Sequence, residues 1–515
     1  MSVSRTFKEF SLPILSGIAL ILCFPKFDLF LLAWIAITPF LISIYDRDFK
    51  ESFLKGVTFG ITYFFGTLYW IYHSINHYGG IPFLISILVV LILCFYLSIY
   101  TGIFASLFSF AVKRSNLPAM IIAPTFWVVI EFIRSYALTG FPWSIIGYTQ
   151  YKFLTMIQIA DITGVYGISF LVLAVNGALT DIYITKRRLI SKPLSPLYPV
   201  IFGTIILILI LLTTLTYGWF RLSHKAKGRD IVVSIIQGNI EQDRKWNAEY
   251  QEYVIDTYFK LSRLVSSKNP SLIVWPETSL PFIFGMDKGY SDRLQEFQRE
   301  LNTYLLVGSI LVREKGNDKH LLTNSALLFD RDGKIIYTYD KIHLVPFGEY
   351  IPLRKILFFI DKLAYGIGDY VSGTSYKKAE TSVGSFAAVI CYEIIFPGMI
   401  RKFFKDGGDF LVNITNDAWF GRTSGPYQHF SMIVYRAIEN RKPVIRAANT
   451  GISGFVDSNG NIISKTDIFK RCYLTERIKT DNRISFYSRY GDIFVYLCMV
   501  ISVYIIVNLY GKKYL

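Results

Sequence analysis

Three short segments carry side chains that could act together on an acyl group. Val274-Trp275-Pro276-Glu277 places a carboxylate just past an apolar run. Tyr339-Asp340-Lys341-Ile342-His343 places an ammonium at the end of another. Ala388-Val389-Ile390-Cys391-Tyr392-Glu393 puts a thiol at the tip of a third. A thiolate is a strong nucleophile and its thioester remains reactive, so a cysteine is a good acyl carrier. It needs a base, and a carboxylate in a poorly solvated pocket can serve. A nearby ammonium, helped by a backbone N–H, can stabilise the oxyanion of a tetrahedral intermediate. Taken singly, each has an ordinary structural reading: a small buried cysteine, a turn glutamate, a solvated lysine. The chemistry requires that folding gather all three.

The elements that would position them lie between residues 221 and 489. Apolar runs at 231–236, 272–275, 304–309, 325–329, 386–390 and 410–414 read as short buried strands. Helical patterns at 248–267 and 290–302 lie between some of them, which indicates a layered α/β domain. Asp330-Arg331-Asp332-Gly333 and Asp457-Ser458-Asn459-Gly460 are hairpin turn signals.

The rest of the chain is a different material. The 515 residues are 52% hydrophobic and 17% aromatic, with a mean hydropathy of +0.39, too apolar for an ordinary soluble protein. Apolar stretches near 9–25, 28–45, 54–76, 82–112, 117–137, 160–184, 196–220 and 490–511 read as membrane spans, since a spanning helix takes about 20 residues. Eight spans is the expected count, with seven as the alternative. Pro25-Lys26-Phe27-Asp28 between the first two suggests a tight helical hairpin, and the first stretch reads as a retained helix rather than a cleaved signal. This gives a bundle over 1–220, a catalytic domain over 221–489, and a last helix and tail over 490–515.

Charge sets the orientation. Arg5, Lys8, Arg47, Lys50, Lys113, Arg114, Lys186, Arg187, Arg188, Lys192, Lys512 and Lys513 fall on one set of loop ends, against Lys26 and Lys152 on the other. The positive-inside rule puts both termini in the cytoplasm and 221–489 outside. The net charge of +16 is spread over the chain beside apolar spans, so nucleic acid is not an expected partner. Five cysteines, three of them in apolar spans, form no disulfide framework. Glu131 and Arg134, one turn apart in the fifth span, read as a structural pair, with headgroup recognition as the alternative. His73 and His77 share metal-binding spacing at the end of the third span but lack a third ligand nearby.

Together the three segments resemble the nitrilase, or carbon-nitrogen hydrolase, superfamily over about 230–475, with Asn416-Asp417-Ala418-Trp419-Phe420-Gly421 similar to the stretch that follows its nucleophile. The finer resemblance is to its membrane branch, the apolipoprotein N-acyltransferase family. It rests on His343-Leu344-Val345-Pro346-Phe347-Gly348-Glu349-Tyr350, on Gln237-Gly238-Asn239-Ile240 with Lys245-Trp246, and on Thr139-Gly140-Phe141-Pro142-Trp143 and Gly164-Val165-Tyr166-Gly167-Ile168-Ser169-Phe170.

That resemblance implies an eight-span bundle carrying an αββα sandwich domain in the periplasm of a bacterial inner membrane. It implies Glu277 as base, Lys341 as oxyanion stabiliser and Cys391 as nucleophile. Tyr392 would supply a backbone N–H to the oxyanion hole, Glu349 and Glu393 would hold the site, and Trp246 and Trp419 would shape the pocket. It further implies a phospholipid donor, typically the sn-1 chain of phosphatidylethanolamine, a diacylglyceryl apolipoprotein acceptor, and no metal or organic cofactor. A pocket for two membrane-tethered substrates should open sideways to lipid, with Phe141-Pro142-Trp143 and Tyr365-Gly366-Ile367 as edges. The alternative is a membrane-anchored amide hydrolase with water as acceptor.

Overall fold

A computed structural model describes residues 3–191, 198–224, 226–315, 319–351 and 370–511. Lys192, Lys512, Lys513 and the Tyr365-Gly366-Ile367 segment lie outside the described residues. The chain packs as two compact units. One comprises residues up to Tyr72, Pro82–His224 and Tyr490 onward; the other comprises His73–Ile81 and Lys225–Arg489.

The first unit is helical. Among the described residues, four helices are long and apolar enough to cross a membrane: Phe83–Arg114, Ala119–Thr139, Val165–Arg187 and Pro199–Ser223. Shorter apolar helical stretches run over Glu9–Cys23, Phe30–Ile44, Leu154–Thr163 and Ile493–Leu509. The second expected span, 28–45, differs from a continuous helix. It is broken into Phe30–Leu32, Ala33–Ala36 and Thr38–Ile44. The break leaves buried backbone groups that must find partners. Asn176, on the helix Val165–Ser191, supplies them: its Oδ1 accepts from the N–H of Ile37 (2.9 Å) and Thr38 (2.8 Å), and its Nδ2 donates to the Ala33 carbonyl (2.9 Å). Irregular backbone at membrane depth is tolerated when protein buries it in this way.

The third expected span, 54–76, also differs. Its helix is Phe49–Leu68, and after Tyr72 the chain joins the other unit as a short π-turn, Ser74–Tyr78. Glu131 and Arg134 are both buried. The Glu131 carboxylate accepts from the Ile146 N–H (2.9 Å), and Arg134 donates to the carbonyls of Phe141 (3.0 Å) and Trp143 (2.7 Å). Through these bonds both side chains pin the 141–146 loop.

Among the described residues, the second unit holds two six-stranded sheets. The first has the order β12-β1-β2-β3-β4-β5: β1 is Asp230–Gln237, β2 Leu272–Val274, β3 Tyr304–Lys315, β4 Lys319–Phe329, β5 Ile335–Asp340 and β12 Cys472–Lys479. The second has the order β11-β10-β9-β8-β7-β6: β6 is Ala379–Thr381, β7 Gly384–Ile390, β8 Phe410–Thr415, β9 Val444–Ala448, β10 Gly454–Val456 and β11 Ile462–Lys465. Each sheet has three parallel strands at its centre, β1-β2-β3 and β7-β8-β9, flanked by antiparallel neighbours.

The sheets face each other through β1 against β9 and β4 against β7. Helices Ala248–Ser266 and Lys288–Leu301 cover the first sheet, burying Tyr258, Phe259 and Phe297 around Trp275. Pro397–Phe404 and Gly425–Asn440 flank the second sheet. Strands buried on both faces read as continuous apolar runs, which is why six of them are visible in the sequence. The two turn signals close the β4–β5 and β10–β11 hairpins.

Candidate active site

Three strand ends converge. Glu277 is the third residue past β2, Lys341 directly follows β5, and Cys391 directly follows β7. All three side chains are withdrawn from water: Glu277 is 7% exposed, Lys341 1% and Cys391 7%. Cys391 has φ 51 and Thr278, next to Glu277, has φ 44. Left-handed backbone at a non-glycine residue is costly and recurs where a side chain must be aimed.

Lys341 is the hub. Its Nζ lies 2.9 Å from Glu349 Oε1 and 3.6 Å from Glu277 Oε1. Burial pulls its ammonium down, but Glu349 and Glu277 more than offset this and hold it above an ordinary lysine. It is therefore a permanent cation here. Burial pushes the Cys391 thiol up; the Glu277 carboxylate adds to the rise and Lys341 opposes it. Cys391 thus rests as a thiol, within electrostatic reach of both the Glu277 carboxylate and the Lys341 ammonium.

The remaining expected residues fall around this centre. Glu349 accepts from Lys341, from Asn324 Nδ2 (2.9 Å) and, through its other oxygen, from the Val345 N–H (2.8 Å). Glu393 ties the lysine loop to the cysteine strand. It accepts from Tyr339 Oη (2.7 Å) and the N–H groups of Ile342 (2.7 Å), His343 (3.1 Å) and Ile390 (2.7 Å). Tyr392 is buried beside Phe396 and the His343 ring. His343 packs against Phe396 with ring centroids 3.8 Å apart.

Trp246 and Trp419 remain 41% and 40% exposed. Both belong to segments fastened to Glu277. Lys245 donates to the Glu277 carbonyl (3.2 Å), and the Asn416 N–H donates to Glu277 Oε2 (2.8 Å). The Trp419 turn is also held by the π-turn: Ser74 donates to the Trp419 carbonyl (2.6 Å), and the Tyr78 ring lies 4.7 Å from the Trp419 ring.

Residues 16–178 match the apolipoprotein N-acyltransferase N-terminal domain, and residues 232–484 match carbon-nitrogen hydrolase. An apolipoprotein N-acyltransferase of Geobacter metallireducens is 41% identical over 496 residues, covering 96% of this chain and 93% of that one. The chain belongs to the apolipoprotein N-acyltransferase family. Relatives of that name from Pasteurella multocida (31% identical, 94% of this chain and 92% of theirs) and Wigglesworthia glossinidia brevipalpis (32%, 92% and 93%) span it equally. A carbon-nitrogen hydrolase from Helicobacter pylori aligns with 48% of this chain and 89% of its own at 17% identity and a TM-score of 0.36.

In this N-acyltransferase family member the site has partners that sequence reasoning missed. Asn324, on β4, bridges the two carboxylates, since its Nδ2 donates to Glu277 Oε1 (2.8 Å) as well as to Glu349. Behind Cys391 lies a fully buried group. Thr415 donates to Asp417 Oδ1 (3.0 Å), and Asp417 is paired with Arg446 (2.8 Å) and His429 (3.0 Å). Burial raises the Asp417 carboxyl, but Arg446 and His429 pull it well below the usual carboxylate range, so it stays ionised. The available signal was Arg446 itself, a lone arginine inside the apolar strand Val444–Ala448. Nothing in the sequence marks Asn324.

Proposed function

We propose that this chain transfers a fatty acyl chain from a phospholipid to the α-amino group of an apolipoprotein's N-terminal S-diacylglyceryl cysteine, through a thioester on Cys391. The observation that carries the reading is the meeting of Lys341 with Glu277 and Glu349 beside a buried, protonated Cys391. Glu277 takes the thiol proton as Sγ attacks the ester carbonyl. The oxyanion forms against the Lys341 ammonium and the Tyr392 backbone N–H. Collapse breaks the ester C–O bond, and the glycerol oxygen leaves with the proton from Glu277 as a lysophospholipid. In the second step the acceptor amine attacks the thioester and gives its proton to Glu277. The thiolate leaves and is reprotonated, and the product is a triacylated lipoprotein.

Glu349 and Glu393 hold the Lys341 and Cys391 loops, while Trp246 and Trp419 supply apolar surface for the acyl chain. Phosphatidylethanolamine is the donor of choice, with its sn-1 chain transferred. The catalytic domain works on the periplasmic side of a bacterial inner membrane, on an eight-span bundle with both termini cytoplasmic. A match to the acyltransferase N-terminal domain over 16–178 favours this over a hydrolase on a simple anchor.

Incubating the purified chain with a fluorescent phosphatidylethanolamine and a diacylglyceryl-cysteine peptide should yield an amide-linked acyl peptide. Cys391→Ala should abolish the acyl-enzyme and the product, and Glu277→Ala and Lys341→Ala should prevent acylation. Transfer at a near-normal rate without Cys391 would overturn the mechanism. Free fatty acid as the only product would indicate the hydrolase.

A further inference from the structure

Lys245 is a second buried lysine beside the proposed base, and the mechanism above does not use it. It is 1% exposed. Its Nζ donates to the backbone carbonyl of Glu277 (3.2 Å) and to Thr278 Oγ1 (2.6 Å). Among the described residues no carboxylate lies within ion-pair distance of it, in contrast to Lys341, which has two. Burial pulls its ammonium down to about 7, with the Glu277 carboxylate opposing.

An ammonium buried against neutral oxygens alone is a poor device for stability, because its desolvation is not offset by an ion pair. Its placement makes sense for another reason. The Glu277-Thr278 turn is strained, with Thr278 at φ 44. On one side β3 closes on it so tightly that a Cβ on Gly308 would lie 2.6 Å from the Glu277 Cα. Lys245 grips the same two residues through their carbonyl and hydroxyl, leaving the Glu277 carboxylate to Lys341, Asn324 and Asn416.

We propose that Lys245 is a positioning residue for the acylation step: it clamps the Glu277-Thr278 turn by its two hydrogen bonds, so that the carboxylate is aimed at the Cys391 thiol. This rests on the reading of Glu277 as the base. A clamp of this kind gives a signature that a merely structural lysine does not. Removing it should leave the fold as stable or more stable while slowing the chemistry.

The test uses the full-length chain in detergent with fluorescent phosphatidylethanolamine, following acyl-enzyme formation in a single turnover. Lys245→Met should slow acylation at saturating donor at least tenfold, leave the half-saturating donor concentration within twofold, and leave the melting temperature unchanged or higher. Thr278→Val, which removes only the acceptor hydroxyl, should also slow acylation, and the double variant should lose less than the product of the two effects, as residues sharing one interaction do. A loss below tenfold in Lys245→Met, or one carried by the half-saturating concentration, overturns the proposal. If Lys245→Met does not fold, an unchanged rate in Thr278→Val overturns it instead. Glu277→Gln is run in parallel. Acylation surviving in that variant removes the base reading itself, whereas acylation lost there and kept in Lys245→Met removes only the role of Lys245.

Discussion

At the scale of single residues, the site works by giving like groups unlike surroundings. Lys341 sits between two carboxylates and stays charged, while Lys245, bonded to the same glutamate's backbone, has among the described residues only neutral hydrogen-bond acceptors. His343 is the residue whose surroundings make the clearest pH statement. Burial pushes it down to about 4, with the Lys341 ammonium acting in the same direction. The unfolded imidazole titrates near its ordinary value of about 6.5 and so binds more protons than the folded one between about pH 4 and 6.5. Stability must therefore rise with pH across that window and fall on acidification, by roughly 2–3 kcal/mol at most. His343→Phe keeps the ring contact with Phe396 and removes the titration. Its unfolding midpoint, followed from pH 7 to 4.5, should fall less than that of the parent chain. Equal slopes would mean that other groups carry the acid sensitivity.

At the scale of elements, two close approaches decide whether the parts meet. β3 passes directly beneath the Glu277 turn at Gly308. A Cβ there would come 2.4 Å from the Thr278 nitrogen and 2.5 Å from the Pro276 carbonyl oxygen, well inside contact distance and against backbone that cannot swing away. Gly308→Ala should therefore displace Glu277 and lower acylation by roughly 100-fold, since a shift of about 1 Å at a reacting group costs that much. The single-turnover rate measures this, and an unaffected rate would show the turn to be pliable. In the helical unit, Asn176 satisfies the broken Phe30–Ile44 segment from the neighbouring helix. Asn176→Leu leaves those backbone groups unpaired, at about 1–3 kcal/mol for each buried group. A melting temperature lowered by several degrees is the expected outcome, with full retention of it as the contrary result.

At the scale of the whole molecule, the arrangement is two compact units sharing one chain, with the short 73–81 segment belonging to the sheet-containing unit. Family membership over more than nine-tenths of the chain assigns both units to one protein type. The proposed orientation follows from where lysine and arginine fall, because translocating them is costly. Cysteines placed at Lys50 and Lys268, both exposed, give the check in a background whose five native cysteines are replaced by alanine. A membrane-impermeant thiol reagent applied to spheroplasts should label the 268 position at once and the 50 position only after the membrane is opened. The reverse pattern would place the catalytic domain in the cytosol.

The sequence alone determined the things that depend on local pattern. Continuous apolar runs announced the doubly buried strands β1, β2, β7 and β8, and their ends carried Glu277 and Cys391, because a side chain just past a buried strand is held at the edge of a core. Resemblance then drew Lys341, Glu349 and Glu393 to them; in the structure Glu349 lies against Lys341, and Glu393 accepts from the Ile390 N–H just before Cys391. Partners from far along the chain were decided only by tertiary structure. Asn324 sits mid-strand among ordinary residues and acquires meaning because β4 lies beside the lysine loop. β12 pairs with β1 from more than 200 residues away. The broken second span and the π-turn at Ser74–Tyr78 escaped for the same reason. Hydropathy counts apolar residues, but whether a helix continues through them depends on which distant side chain stands ready to accept or donate the hydrogen bonds that a break exposes.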